Sequence, residues 1–205
     1  MGILEILGVA GSLSLLAGWR LYLCVLATGL AMHYHLLPLP EHLKALQILA
    51  NPWVMGAAGL AATLEFFADK VMWLDTVWDT IHTLIRPLGG ALLALAVVDP
   101  SDPATQAVAF ILGGGASLLA HGGKASARAV VNASPEPFSN AAVSTVEDVA
   151  TSGLLYLAYS HPVVAGGIAL GLAVFTALLL VLAWRVLRRI FLRVQENSSP
   201  SGEEA

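Results

Sequence analysis

Glu65 and Asp69 stand four residues apart, as do Asp75 and Asp79, and as do Lys124 and Arg128. That spacing puts each pair on one face of a helix. Glu147 and Asp148 are adjacent, and Arg20 lies inside a long apolar stretch. Carboxylates in such positions can relay protons or hold a cation. The basic groups can receive an anion or grip the carboxylates, an arginine bidentately. We expect Arg20, Glu65, Asp69, Lys124, Arg128, Glu147 and Asp148 to form one central cluster that lines the path of an ion or small polar solute. Lys70, Asp75, Asp79, Arg86 and His121 are secondary candidates. Both signs of charge are present, so the sequence does not choose the ion.

The surroundings of these residues are apolar. Hydrophobic residues make up 57% of the 205-residue chain and charged residues 12%, about half the usual charged share, which is too little to coat a water-soluble globule. A charge at bilayer depth costs at least about 2.5–3.5 kcal/mol on insertion scales, so it faces a partner or water. The alternative to a path is a set of interhelical salt bridges in a non-transporting membrane scaffold or assembly subunit.

A membrane span needs about 20 mostly apolar residues, which allows roughly six helices and predicts an all-α integral membrane protein. The expected spans run from about Leu4 to Tyr34, Pro52 to Lys70, Thr83 to Val98, Ala104 to Val131, Ala141 to Tyr159 and Val163 to Trp184. Gly11 and Gly18 interrupt the first and favour a tilt or break. Leu43, Leu46, Ile48 and Leu49 predict a short interfacial helix before Pro52. The polar stretch from Lys70 to His82, with Trp73 and Trp78, reads as headgroup-level chain. The third span is short and holds Pro87, so it is the candidate for a re-entrant segment. Asp99-Pro100-Ser101-Asp102-Pro103 makes a turn that ends the first half. Arg185, Arg188, Arg189 and Arg193 put the last span's end in the cytoplasm, and with six spans the N-terminus joins it there. Residues 193–205 are expected to be a disordered cytoplasmic tail.

The two halves look alike. Ser14-Leu15-Leu16-Ala17-Gly18, followed by Arg20, matches Ser117-Leu118-Leu119-Ala120, followed by Gly122, Gly123 and Lys124. Asn51-Pro52-Trp53 with Glu65 and Asp69 downstream matches Glu136-Pro137-Phe138 with Glu147 and Asp148. Arg86-Pro87-Leu88-Gly89-Gly90 matches His161-Pro162 with Gly166-Gly167. Residues 1–98 and 104–192 are therefore read as two three-helix repeats. An odd number of spans per repeat makes the halves cross the membrane in opposite senses, the plan of many transporters, whose sites lie between repeats near the midplane. Arg20 then corresponds to Lys124, and Glu65 with Asp69 to Glu147 with Asp148.

The Gly-Trp-Arg of the first span, Glu65-Phe66-Phe67-Ala68-Asp69-Lys70 with Asp75 and Asp79, Arg86-Pro87-Leu88-Gly89-Gly90, the Lys124 and Arg128 pair, and Glu147-Asp148 together resemble an uncharacterised bacterial membrane family, the domain of unknown function 4126. The resemblance covers about Leu4 to Leu182. It implies a multispanning fold, in keeping with a bacterial inner (plasma) membrane, and no established activity.

Other function classes fit less well. Asp69, Asp75 and Asp79 could hold Mg²⁺ in a lipid-phosphate enzyme, yet the fuller Asp-rich and Gly-Arg signature is missing. Neither a Gly-x-Ser-x-Gly elbow nor a His-Glu-x-x-His helix occurs. No catalytic residue, metal or cofactor is therefore assigned. Cys24 is the only cysteine, so no internal disulfide forms. The one basic cluster adjoins a span and reads as an orientation signal or lipid contact, which sets nucleic acid aside. The Met1 to Leu30 stretch carries Glu5 and no Lys or Arg before Arg20, unlike a cleaved signal. Expected partners are the lipid bilayer, the transported ion or solute, and a second copy, because halves of about ninety residues are small for alternating access.

Overall fold

Proline opens four of the six α-helices, where its fixed φ suits the first turn and its missing N–H costs nothing. The computed structural model describes residues 2–36, 41–132 and 137–198. Among them the elements are α1 (Ile3–His33), a 3₁₀ segment (Glu41–Ala50), α2 (Pro52–Ala68), α3 (Met72–Leu95), α4 (Pro103–Asn132), α5 (Pro137–Ser160) and α6 (Pro162–Ser198), with no strand. Asn51 caps α2 by accepting from the Trp53 N–H at 2.9 Å. Ahead of α4, Asp102 accepts from the Ala104 N–H at 3.1 Å. Asp99 is held below the usual carboxylate range by the Ser101 N–H and hydroxyl, and Asp102 by the Thr105 hydroxyl and N–H. Both acids stay ionised in this exposed turn. At the far end of α1, His35 takes a positive φ of 52°. This lets the Leu36 N–H reach back to the Ala31 carbonyl at 2.9 Å and close the helix.

Three helices, Ile3–His33, Pro103–Val131 and Pro162–Arg189, are long and apolar enough to cross a membrane; Pro52–Ala68 is apolar but shorter. The burial pattern is that of a membrane protein. Arg20, Arg86 and Arg128 are among the largest fully buried side chains, while Leu170, Leu178 and Leu182 of α6 lie exposed. α1 is the central element and packs against every other helix and the 3₁₀ segment. Its Val9, Leu13, Leu16, Ala17 and Cys24 form the middle of the apolar core.

Close approach in this core depends on small residues. A Cβ built on Gly18 would lie 2.3 Å from the Ser117 carbonyl oxygen of α4 and 2.7 Å from the Ala120 Cβ. On Gly8 it would lie 2.1 Å from the Pro162 oxygen of α6. Gly18→Ala is therefore expected to force α1 off α4 at a cost of about 1–3 kcal/mol. A thermal melt in detergent reads this, with Gly167→Ala as control because nothing lies within 4 Å of that position.

Three expectations about the elements need correction. α3 begins at Met72 instead of Thr83, so the stretch from Lys70 to His82 is mostly helix, and Trp78 stacks on His82 with ring centroids 4.3 Å apart. The polar residues Asp75, Asp79, His82 and Arg86 recur every three or four positions and form the buried stripe of that helix. α5 begins at Pro137, ahead of the expected Ala141. α6 continues through Ser198 instead of ending at Trp184, carried by good helix formers such as Arg185, Leu187 and Arg188. The rest of the expected tail, residues 199–205, lies outside the described residues, as does Glu136. The short helix before Pro52 is present as 3₁₀, with Leu43 and Leu46 buried and Ile48 exposed.

Candidate functional site

Arg20 sits where α1 breaks. Its φ of −143° and ψ of 70° are non-helical inside an otherwise continuous helix, and the preceding Trp19 carbonyl accepts from Lys124 Nζ at 3.4 Å. A broken helix at mid-bundle leaves backbone groups free for side chains or ligands, the arrangement found at many transporter sites.

From that break Arg20 reaches two helices. Its Nη1 contacts Asp69 Oδ2, just past the end of α2. On α5 its Nη2 lies 3.4 Å from Glu147 Oε2, its Nε 3.0 Å from Asp148 Oδ1, and Nη2 donates to the Ser144 hydroxyl at 2.9 Å and carbonyl at 3.1 Å. The Nε–Asp148 pair is close, yet that Nε makes no aligned hydrogen bond, so it is an ion pair only. Lys124 and Arg128 approach from α4. Lys124 Nζ lies 3.0 Å from Asp69 Oδ2 and 3.6 Å from Glu147 Oε2. Arg128 Nη2 lies 2.8 Å from Glu147 Oε2 and 3.3 Å from Asp69 Oδ2, and its Nη1 donates to the Asp69 carbonyl at 3.0 Å. Asp75 Oδ1 of α3 lies 3.9 Å from that same Nη1.

Asp69 is the hub, because its Oδ2 faces three cations. It is fully buried, and its other oxygen has no hydrogen-bond partner among the described residues. The cluster opens outward at α5, where the Glu147 and Asp148 side chains are 15% and 28% exposed. Lys70 stands at that rim, its Nζ 3.4 Å from the Ser144 hydroxyl and 3.2 Å from the Phe66 ring centroid.

Glu65 departs from the expected single cluster. One turn back along α2, it pairs with Arg86 of α3 at 2.6 Å. Arg86 Nη1 also donates to Asp79 at 2.9 Å and to His121 Nδ1 of α4 at 2.7 Å. His121 Nε2 lies 3.1 Å from both the Asp79 carbonyl and the Thr83 hydroxyl. An arginine only donates, so Nδ1 is an acceptor, the imidazole is neutral and its proton is on Nε2. The reason for the split is axial. Residues i and i+4 share a face but sit about 6 Å apart along the helix, so Glu65 and Asp69 meet different guanidinium groups. The seven expected residues thus divide, six at the Asp69 hub and Glu65 in a second group with the secondary candidates Arg86, Asp79 and His121.

The expected residues leave out several neutral partners. Ser117 donates its hydroxyl to the Arg86 carbonyl at 2.8 Å, and Ser14 to the Gly90 carbonyl at 3.0 Å, on either side of Pro87. Tyr22 of α1 bonds His82 Nε2 at 2.9 Å, while His82 Nδ1 lies 2.7 Å from the Trp78 carbonyl. Small hydroxyls and aromatics are too common in apolar helices for type and spacing to single them out; only Ser14 and Ser117 carried a signal, as the first residues of the repeated segment.

A family model described as a domain of unknown function, DUF4126, matches residues 7–188. No curated protein and no solved structure matches the chain. The chain belongs to the DUF4126 family.

Proposed function

We propose that this member of the DUF4126 family is a small transporter or channel for an ion or small polar solute, and that its two charged groups form one column along the path. The observation that carries this reading is the gathering of Arg20, Lys70, Lys124 and Arg128 with Asp69, Asp75, Glu147 and Asp148 at a break in the central helix, next to a second group of Arg86 with Glu65 and Asp79. Each charge raises the insertion cost, and far fewer would fix five helices in place. The rim at Glu147 and Asp148 gives the column a mouth.

Six spans in two inverted halves suit this reading. α3 and α5 have 24 residues each, about 36 Å of helix, and carry column acids in place of some apolar residues. The duplication draws support from the packing. The matched cations Arg20 and Lys124 share Asp69 and Glu147, one acid from each of the two matched pairs. The matched Ser14–Gly18 and Ser117–Ala120 segments face each other through Gly18. Both termini then lie in the cytoplasm of an inner membrane, marked by Arg185, Arg188 and Arg189, and a dimer is the working assembly.

A non-transporting scaffold is the second reading. It is favoured by one observation: two cavities, of about 860 and 390 Å³, are lined by no charged side chain. Flux from liposomes decides between the two. Asp148→Asn, at the half-open mouth, is expected to fold normally and to cut flux of the carried species at least about tenfold, the loss of one well-placed interaction worth about 1.4 kcal/mol. Unchanged flux in that variant would move the path away from Asp148, and no flux in the parent for protons, monovalent cations, halides or divalent ions would favour the scaffold.

A further inference from the structure

Counting charges in the inner group narrows the ion. Arg86 is one cation against two carboxylates, Glu65 and Asp79, and all three are at least nine-tenths buried. His121 adds no charge while its Nδ1 accepts from Arg86. The inner group is therefore one positive charge short. So is the whole column, whose six acids named above outnumber its five cations by one. A buried negative charge without its counter-charge is costly, and the group supplies a place for one more positive charge. Arg86 is fully buried, and its Nε has no hydrogen-bond acceptor among the described residues.

We propose that Glu65, Arg86, Asp79 and His121 form a proton-binding site and that the ion handled by the column is the proton. This deepens the transport reading and rests on it. Two carboxylates and one imidazole around a guanidinium suit a proton better than a metal ion: among the described residues no group of three His, Cys, Asp or Glu is arranged to hold a metal. The exchange is simple in its balance. A proton from hydronium adds to the lone pair of His121 Nδ1, leaving water, and the group's charge rises by one. Nδ1 then becomes a donor and no longer accepts from Arg86 Nη1. That Nη1 keeps Asp79 Oδ1, and the new N–H turns toward the same carboxylate. Loss of the proton restores the observed arrangement.

His121 is faced by Arg86, Asp79 and Thr83 from α3, and by Lys124 one turn along α4. Glu65 of α2 reaches it through Arg86, and the Tyr22 hydroxyl of α1 bonds His82 of α3 at 2.9 Å. α6 brings Thr176 and Leu180 against Gly123 and Gly122, and no ionisable residue before Arg185. Glu147 of α5 meets Lys124, not His121. Protonation therefore acts at the α3–α4 contact.

The test uses the full chain in lipid nanodiscs with ¹⁵N-labelled histidine, and the same protein in liposomes loaded with a pH-sensitive dye. His121→Gln identifies the His121 signal by its loss. The proposal expects that signal to change reversibly from the neutral tautomer to the imidazolium as the pH is lowered, and an imposed pH gradient to decay at least about tenfold faster than in empty liposomes. His121→Gln and Asp79→Asn, shown folded by their melts, should lose that decay. A His121 signal that stays neutral throughout overturns the proposal. Flux of another ion without proton movement overturns it too but leaves the column as a path. A titrating His121 with no flux of any ion upholds the proton site and removes the transport reading.

Discussion

Asp69→Asn is expected to destabilise the folded bundle by roughly 3–5 kcal/mol, the cost of removing one partner from a buried ion pair. Arg20, Lys124 and Arg128 all turn toward its Oδ2. An amide in that place keeps the shape and one acceptor but leaves three cations together at the break in α1, sharing Glu147. The neighbouring acids give the comparison. Glu147 is 15% exposed and Asp148 28%, so their loss leaves the remaining charges at the edge of the cluster and less completely buried. Unfolding in mixed micelles should therefore rank Asp69→Asn as far more damaging than Glu147→Gln, and Asp148→Asn as least. An equal effect at all three would mean that the hub is not where the geometry puts it.

Asp69 also shows what the sequence makes legible. Its i,i+4 relation to Glu65, the Lys124 and Arg128 pair and the match of Arg20 to Lys124 are all visible in the chain, and together they foretell a buried cluster on α1, α2, α4 and α5. Depth along the axis is not visible. Face-sharing says which residues point the same way, and only packing against α3 decides that Glu65 meets Arg86 while Asp69 meets Arg20. The start of α3 was hidden for a related reason. Asp75, Asp79 and His82 look like an interface to a hydropathy scale, although their spacing is that of a helix face. In a bundle that buries charge, the period carries more than the polarity. The break at Arg20 had only Gly11 and Gly18 to announce it, and Gly18 is used for close packing on α4.

Arg86→Met should be the other severe single change, again about 3–5 kcal/mol, because it strands Glu65 and Asp79 as buried carboxylates. A combined Glu65→Met, Asp79→Leu, Arg86→Met variant should recover most of that loss. Well-packed apolar groups of similar volume often replace a buried ion group at no net cost, since its desolvation penalty offsets its Coulomb attraction. Stability alone would then give no reason to keep these charges. The variant thereby separates the two readings of the site. In a scaffold the neutral group should assemble as well as the parent. In a transporter it should fold, melt at a similar temperature and carry no protons, because the group proposed to take up a charge at the α3–α4 contact has lost its charged partners around His121. A variant that melts near the parent and still dissipates a pH gradient would move the path away from Arg86, toward the Asp69 hub and its mouth at Asp148.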